Sequence, residues 1–212
     1  MKKEVMKKIL IYRYPLLMVL LLGIIFFELS YLENIQKITP TKNNFHYYRN
    51  MFDEIAKELK CFPVIKEGEA YPVTFEDSFG EERTYGGKRA HEGCDLMGEK
   101  NERGRYKICS MTDGIVTKIG WLEQGGWRIG IQSNSGVYYY YAHLDSYEKA
   151  FKIGEKVAAG QILGRMGDSG YGKEPGTKGK FNVHLHLGIY VKDIFGNEHA
   201  INPFGYLKML ER

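Results

Sequence analysis

Beyond its first fourteen residues the chain has no surplus of charge of either sign. The formal net charge of +4 resides in Lys2, Lys3, Lys7, Lys8 and Arg13 against Glu4, and residues 15–212 hold 25 basic and 25 acidic side chains. A basic isoelectric point raises the question of nucleic acid, but no excess remains on the body of the chain to build a phosphate-binding surface. Nucleic acid is therefore set aside as a partner. No internal repeat at a period of roughly 20 to 50 residues is evident, and no compositional bias suggests disorder. Cysteine is scarce, with three in 212 residues. Small residues are missing where a signal peptidase would need them: FELSYLENIQ, residues 27–36, offers no A-x-A-like site.

What the sequence does have begins with an uncharged apolar run from Tyr14 to Phe27, extendable to about Ile9 through Leu32 if Arg13 and Glu28 snorkel. Without a cleavage site this is expected to be an uncleaved signal anchor, the alternative being secretion after cleavage. The positive-inside rule keeps the Lys cluster cytoplasmic and places everything after residue 35 outside the membrane, giving a single-pass protein of the cell membrane. The expected organisation is a basic tail and transmembrane helix over 1–35, a stalk over 36–60, and a folded domain over 61–212.

In the stalk, Phe45, Tyr48, Phe52, Ile55 and Leu59 recur at spacings of three and four. That is one apolar face of a helix over 42–60, which would dock on the domain or on a membrane or cell-wall protein partner. His46 has no other ligand types near it and reads as a surface histidine. From Cys61 onward the texture changes to short runs such as YPVTF, GIVTKIGW, WRIGIQ, GVYYYYAHL and NVHLHLGIYV, broken by Gly, Asp, Asn and Pro. This pattern predicts an all-β, mostly antiparallel domain. Cys94 and Cys109 could bridge if their strands pair; Cys61 would then be left over, and all three can equally be small buried hydrophobes.

His184 and His186 stand at i and i+2 in a strand-like run, so both point to one face and share one environment. A metal or a wet groove is the usual way such a pair is satisfied. His91 and Asp95 would supply two further ligands if 91, 93 and 95 share a face, with Gly93 leaving space for an ion. HEGCD is a near miss to H-E-x-x-H, but it ends in Asp and Gly93 weakens the required helix, so Glu92 should point away from the metal. Tyr139 and Tyr141 should share the face of His143, as groove residues or as a cross-strand aromatic stripe.

Taken in order, H-x-G-x-D at His91, Y-A-H-L at His143 and H-x-H at His184 resemble the motifs of the lysostaphin/LytM-type zinc metalloendopeptidases, which cut bacterial peptidoglycan. FKIGEKVAAGQILGRMGDSG is similar to that family's glycine-rich segment between its second and third motifs, and the resemblance covers about residues 70 to 204. It implies a small antiparallel β domain of the duplicated-hybrid-motif type with a groove along the sheet. One Zn2+ would be held by His91, Asp95 and His186, while His143 and His184 would form a catalytic pair that does not ligate. The implied substrate is the peptide part of peptidoglycan, cut during remodelling, growth, division or sporulation. No motif residue is missing, which argues against the zinc-free members of the family.

Rival readings rest on the same residues. GDSG at 167–170 looks like a serine-protease nucleophile motif, but only 26 residues separate His143 from Ser169, too few for a second barrel. A turn with Asp and Gly is the expected structure there. VAAGQILGRMGDSG also looks like a lipoyl-type hairpin, yet no Lys occupies the turn. A non-catalytic cell-wall-binding scaffold or partner-binding module of the same fold remains the alternative to an enzyme. His199 is expected outside the site, and loops 96–107 and 171–181 are expected to set substrate choice.

Overall fold

The structure, a computed structural model, describes residues 52–193 and 195–211. The expected membrane span and basic tail lie outside these residues, as do His46 and residues 42–51 of the expected stalk helix. Among the described residues no helix is long and apolar enough to cross a membrane. Residues 52–58 are helical (α1), and Ile55 and Leu59, the inward positions of the predicted face, are buried in the core of the domain. Phe52, on the same predicted stripe, is exposed.

The remainder is dominated by one ten-stranded sheet. Its main path runs β1 (Val73–Phe75), β4 (Cys94–Gly98), β11 (His184–Lys192), β8 (Tyr138–Tyr147), β7 (Gly126–Gln132), β6 (Gly114–Leu122) and β9 (Lys156–Val157). Off this path, β10 (Ile162–Met166) pairs β5 (Lys107–Cys109) and β8, and β12 (Glu198–Ile201) pairs β11. Each of these pairings is antiparallel, as the strand pattern predicts. A separate hairpin joins β2 (Glu82–Arg83) to β3 (Arg89–Ala90), and a short helix α2 (Phe204–Leu210) buries Leu207.

Strand alternation places the core. In β11 the odd positions Leu185, Leu187 and Ile189 are fully buried, as are Leu96 in β4 and Ile129 and Ile131 in β7. Each such side chain contributes about 1.5–3 kcal/mol by leaving water. The even positions of β11, His184, His186 and Tyr190, face the other side, where they line a groove.

β8 departs from simple alternation. Tyr138 and Tyr140 line the groove, whereas Tyr139 and Tyr141 are fully buried in the core. His143 should then follow Tyr139 and Tyr141 inward, but its backbone has φ 61°, and the pairing with β7 shifts register between Trp127 and Ile129. One residue is inserted there, so His143 reaches the groove face. The expectation that Tyr139 and Tyr141 share the face of His143 fails for this reason. Tyr139 instead donates from its hydroxyl to Glu58 Oε1 at 2.6 Å, and the Tyr141 hydroxyl accepts from Met111 N at 2.9 Å.

The strands of Cys94 and Cys109 do not pair, because β4 lies between β1 and β11 while β5 pairs β10. All three cysteines are free thiols, donating to the carbonyls of Ser110, Glu76 and Phe62 from Cys61, Cys94 and Cys109 respectively.

Candidate metal centre and active site

Three strands in register bring the histidines together. His186 in β11 stands opposite Asp95 in β4 on one side and Ala142 in β8 on the other, next to His143. His91 is not in a strand: it follows β3 and is fixed by backbone bonds, His91 N donating to Glu81 O and Gly80 N to His91 O, each 2.8 Å. Gly93, between His91 and Asp95, was expected to leave room for an ion, but the space it leaves is taken by the His186 ring. A Cβ at Gly93 would come within 2.5 Å of Leu187 O and 2.7 Å of His186 Cε1.

His91 Nε2, Asp95 Oδ1 and His186 Nδ1 converge on one point. The two nitrogens are 2.9 Å apart, and they lie 3.1 Å and 3.0 Å from the carboxylate oxygen. Two imidazole nitrogens and one carboxylate oxygen are a zinc donor set, and bonds of 2.0–2.1 Å around a tetrahedral ion separate donors by roughly 3.3 Å. The residues therefore fit a zinc ion, and they form the one such His, Cys and carboxylate group among the described residues. Burial would raise the Asp95 carboxyl, but hydrogen bonds from His186 and His91 outweigh it and hold the group far below the usual carboxylate range. Burial lowers His186 below the ordinary histidine value, which favours the neutral form a metal requires.

His143 and His184 stand beside this cluster without entering it. Their rings are 4.7 Å apart, and His184 Nε2 is 3.8 Å from Asp95 Oδ1. Both are buried, and burial depresses both, His143 further because His184 and His186 add like charge nearby. Backbone carbonyls set the tautomers: Nδ1 of His143 donates to Ser169 O at 2.8 Å, Nδ1 of His184 to Asn182 O at 2.7 Å, and Nδ1 of His91 to Ser78 O at 2.8 Å. His143 and His184 are thereby left with an Nε2 lone pair directed away from the anchor. Phe181 packs against both catalytic candidates at 4.6 Å and 5.0 Å, and Tyr171 packs on Phe181 and stacks on Tyr85 at 4.2 Å.

Several of these residues escaped the sequence. Arg83, from the β2–β3 hairpin, donates Nη2 to Asp95 Oδ2 at 3.1 Å and so orients the carboxylate, a contact no local spacing announces. The GDSG stretch is more than a turn. Its Asp168 is gripped by Arg103 and by Gly179 N, and Ser169 Oγ accepts from Trp127 N and donates to Leu144 O, while Ser169 O anchors His143. Ser169 is thus committed to holding a histidine, and no nucleophile is available there. Glu92 is exposed and outside the ligand cluster but lines the groove, and His199, also outside the cluster, is tied to Asp193 Oδ2 at 3.0 Å. Loop 171–181 supplies Tyr171 to the groove, but no residue of 96–107 lines it; Arg89, Lys118 and Arg128 do instead.

The sequence pattern of peptidase family M23 matches residues 89–203. The chain is 37% identical over 179 residues to the L-Ala–D-Glu endopeptidase of Bacillus subtilis, an alignment covering 79% of this chain and 53% of that protein. It thus spans about half the length of this curated relative. It is 36% identical over 103 residues to lysostaphin of Staphylococcus simulans, covering 48% of this chain and 19% of that one. A crystal structure described as a glycyl-glycine endopeptidase lytM from Ruminococcus gnavus superposes with a TM-score of 0.66 at 52% identity, covering 73% of this chain and 61% of that one. With its histidines and aspartate gathered in the order the motifs required, the chain belongs to peptidase family M23.

Proposed function

We propose that the protein is a zinc-dependent endopeptidase that hydrolyses peptide bonds in bacterial peptidoglycan. His91, Asp95 and His186 would hold the metal, and His143 and His184 would move protons. The observation that carries this is the convergence of three ligand atoms at about 3 Å beside two further buried, carbonyl-anchored imidazoles. When bound, zinc would polarise the scissile carbonyl and acidify a water.

The chain's own residues supply the rest. Depressed by burial, His143 and His184 are neutral at pH 7, so an Nε2 lone pair can accept the proton of an attacking water. An imidazole that has taken this proton becomes a donor at Nε2 and can hold a developing oxyanion or return the proton to the leaving amine. Arg83 keeps the Asp95 carboxylate aimed, and the Phe181 and Tyr171 rings wall the pair from water. The name of the Bacillus relative supports a bond within the stem peptide as the target. The apolar run over residues 9–32 supports attachment to the cell membrane with the domain outside; mass spectrometry of the mature N-terminus checks this.

Incubating the full chain with cell-wall sacculi, with and without chelator, tests the activity. New peptide amines that appear with zinc and vanish with chelator are expected. His186→Ala and Asp95→Ala should lose metal and turnover together, and His143→Ala should keep the metal and lose turnover. Retained cleavage by metal-free His186→Ala overturns the mechanism. Stoichiometric zinc with no product in wild type favours a scaffold of the same fold.

A further inference from the structure

The groove, about 530 Å³ in volume, continues well past the histidines. The Tyr140 ring lies 5.8 Å from the His186 ring, and the rings of Tyr138 and Tyr190 each follow at 6.4 Å from Tyr140. Gly188 and Gly130 let these rings lie flat on the sheet: a Cβ would approach the Tyr190 ring within 2.6 Å at the first and the Tyr138 hydroxyl within 2.1 Å at the second. Side chains on these two glycines would fill the space that the tyrosines occupy. This arm is therefore built from backbone and aromatic rings.

Three cations line it, Arg89, Lys118 and Arg128. Arg83, at the metal centre in the same groove, grips Asp95, and Arg103 and Arg105, outside the groove, each grip a carboxylate as well. Arg89 and Arg128 grip none among the described residues. Seven buried side-chain nitrogen and oxygen atoms lack a hydrogen-bond partner among the described residues, and four of them are Arg89 Nε, Arg128 Nε, Arg128 Nη1 and Tyr138 Oη. Buried donors of this kind are costly to leave unmade, so their concentration in one arm of one groove marks a place prepared for an acceptor. Lys118 Nζ lies 4.9 Å over the Tyr138 ring, adding positive charge at the same spot. Both guanidiniums reach the electrostatic surroundings of Tyr140, whose hydroxyl burial pushes up to about 12 while Arg128 and Arg89 pull against it.

We infer that this arm is a carboxylate subsite, in which Arg128 and Arg89, with Lys118 and the Tyr138 hydroxyl, take a free side-chain or backbone-branch carboxylate of the peptide substrate. The inference rests on the peptidase reading above and names the substrate class: an acidic peptide. The guanidinium fork and a phenolic donor match the planar, two-oxygen geometry of a carboxylate. Glu92 and Glu198, exposed side chains lining the same groove, disfavour an anion of higher charge such as free phosphate.

Two peptides test it, one containing L-Ala–D-Glu with its free carboxylate and one in which that carboxylate alone is a carboxamide. With the zinc-loaded full chain, kcat/KM should favour the acid by about tenfold or more. Arg128→Gln and Arg89→Gln should each collapse the acid-to-amide ratio towards one, and Arg128→Lys should retain part of it. Thermal melts confirm that each variant is folded, and Arg89→Gln serves where Arg128→Gln is not. Binding of both peptides to the zinc-loaded His143→Gln chain, measured by calorimetry, is read separately. If wild type cuts neither peptide but His143→Gln still prefers the acid, the activity has failed and the subsite stands. Equal binding of acid and amide, a ratio untouched by both arginine variants, or inorganic phosphate competing as well as the acidic peptide overturns the subsite.

Discussion

The two faces of β11 divide the work of the molecule. One carries Leu185, Leu187 and Ile189, buried without remainder; the other carries His184, His186, Gly188 and Tyr190, whose atoms meet ligand atoms, ring edges and groove. Neighbouring residues therefore answer to different physics, area removed from water on one face and convergent lone pairs on the other. Stability and chemistry should be separable by steps of a single residue.

The separation can be broken or sharpened by substitution. The largest effect on folding is expected from Leu187→Ala, which removes buried methyl groups from the core face and should cost about 2–5 kcal/mol in urea unfolding. Its neighbour His186→Ala should leave the metal-free domain far closer to wild type. What His186→Ala and Asp95→Ala should abolish is the stabilisation by zinc, about 2.7 kcal/mol at a hundredfold excess over Kd, read as a shift in Tm. A wild-type Tm indifferent to zinc would contradict the metal centre.

Gly93→Ala couples the faces, since its Cβ would strike the backbone oxygen of Leu187 and the ring of His186 at once. We expect a loss of about 1–3 kcal/mol together with weakened zinc binding, measured by unfolding and metal competition. Ser169→Ala is expected to be the mildest, about 1–2 kcal/mol, because it orphans the buried Trp127 N–H and frees the Leu144 carbonyl. It should lower kcat through a loosened His143 while zinc content stays near wild type. A variant that loses zinc instead would show that His143 and the ligand cluster are not independently held.

Much of this division was legible in the sequence, and the failures have specific causes. Period-two alternation in NVHLHLGIYV was enough to put His184 and His186 on one face and Leu185 and Leu187 on the other, and the result is an antiparallel sheet. Tyr139 and Tyr141 were misplaced because alternation assumes an uninterrupted strand, and the positive φ of His143 is a tertiary event with no residue-type signature. Gly93 was read as space for an ion because pattern alone cannot say which neighbour approaches. Arg83 and the orphaned donors of Arg128 depend on which side chains surround them in the groove, which no local spacing announces. The trio His91, Asp95 and His186 came from the resemblance to the family's motifs, since strand periodicity alone would have made His184 a ligand as well.

The three carbonyl anchors of the histidines come from Ser78, Ser169 and Asn182, and in each case the acceptor is main chain. A side-chain acceptor can be deleted by one nucleotide change; a peptide oxygen survives every substitution at its own position. The proton placement of this site is in that sense written into loop length and path rather than into residue identity. Drift among descendants of this chain should spare it through many point changes and lose it through insertions or deletions in the loops that carry those carbonyls.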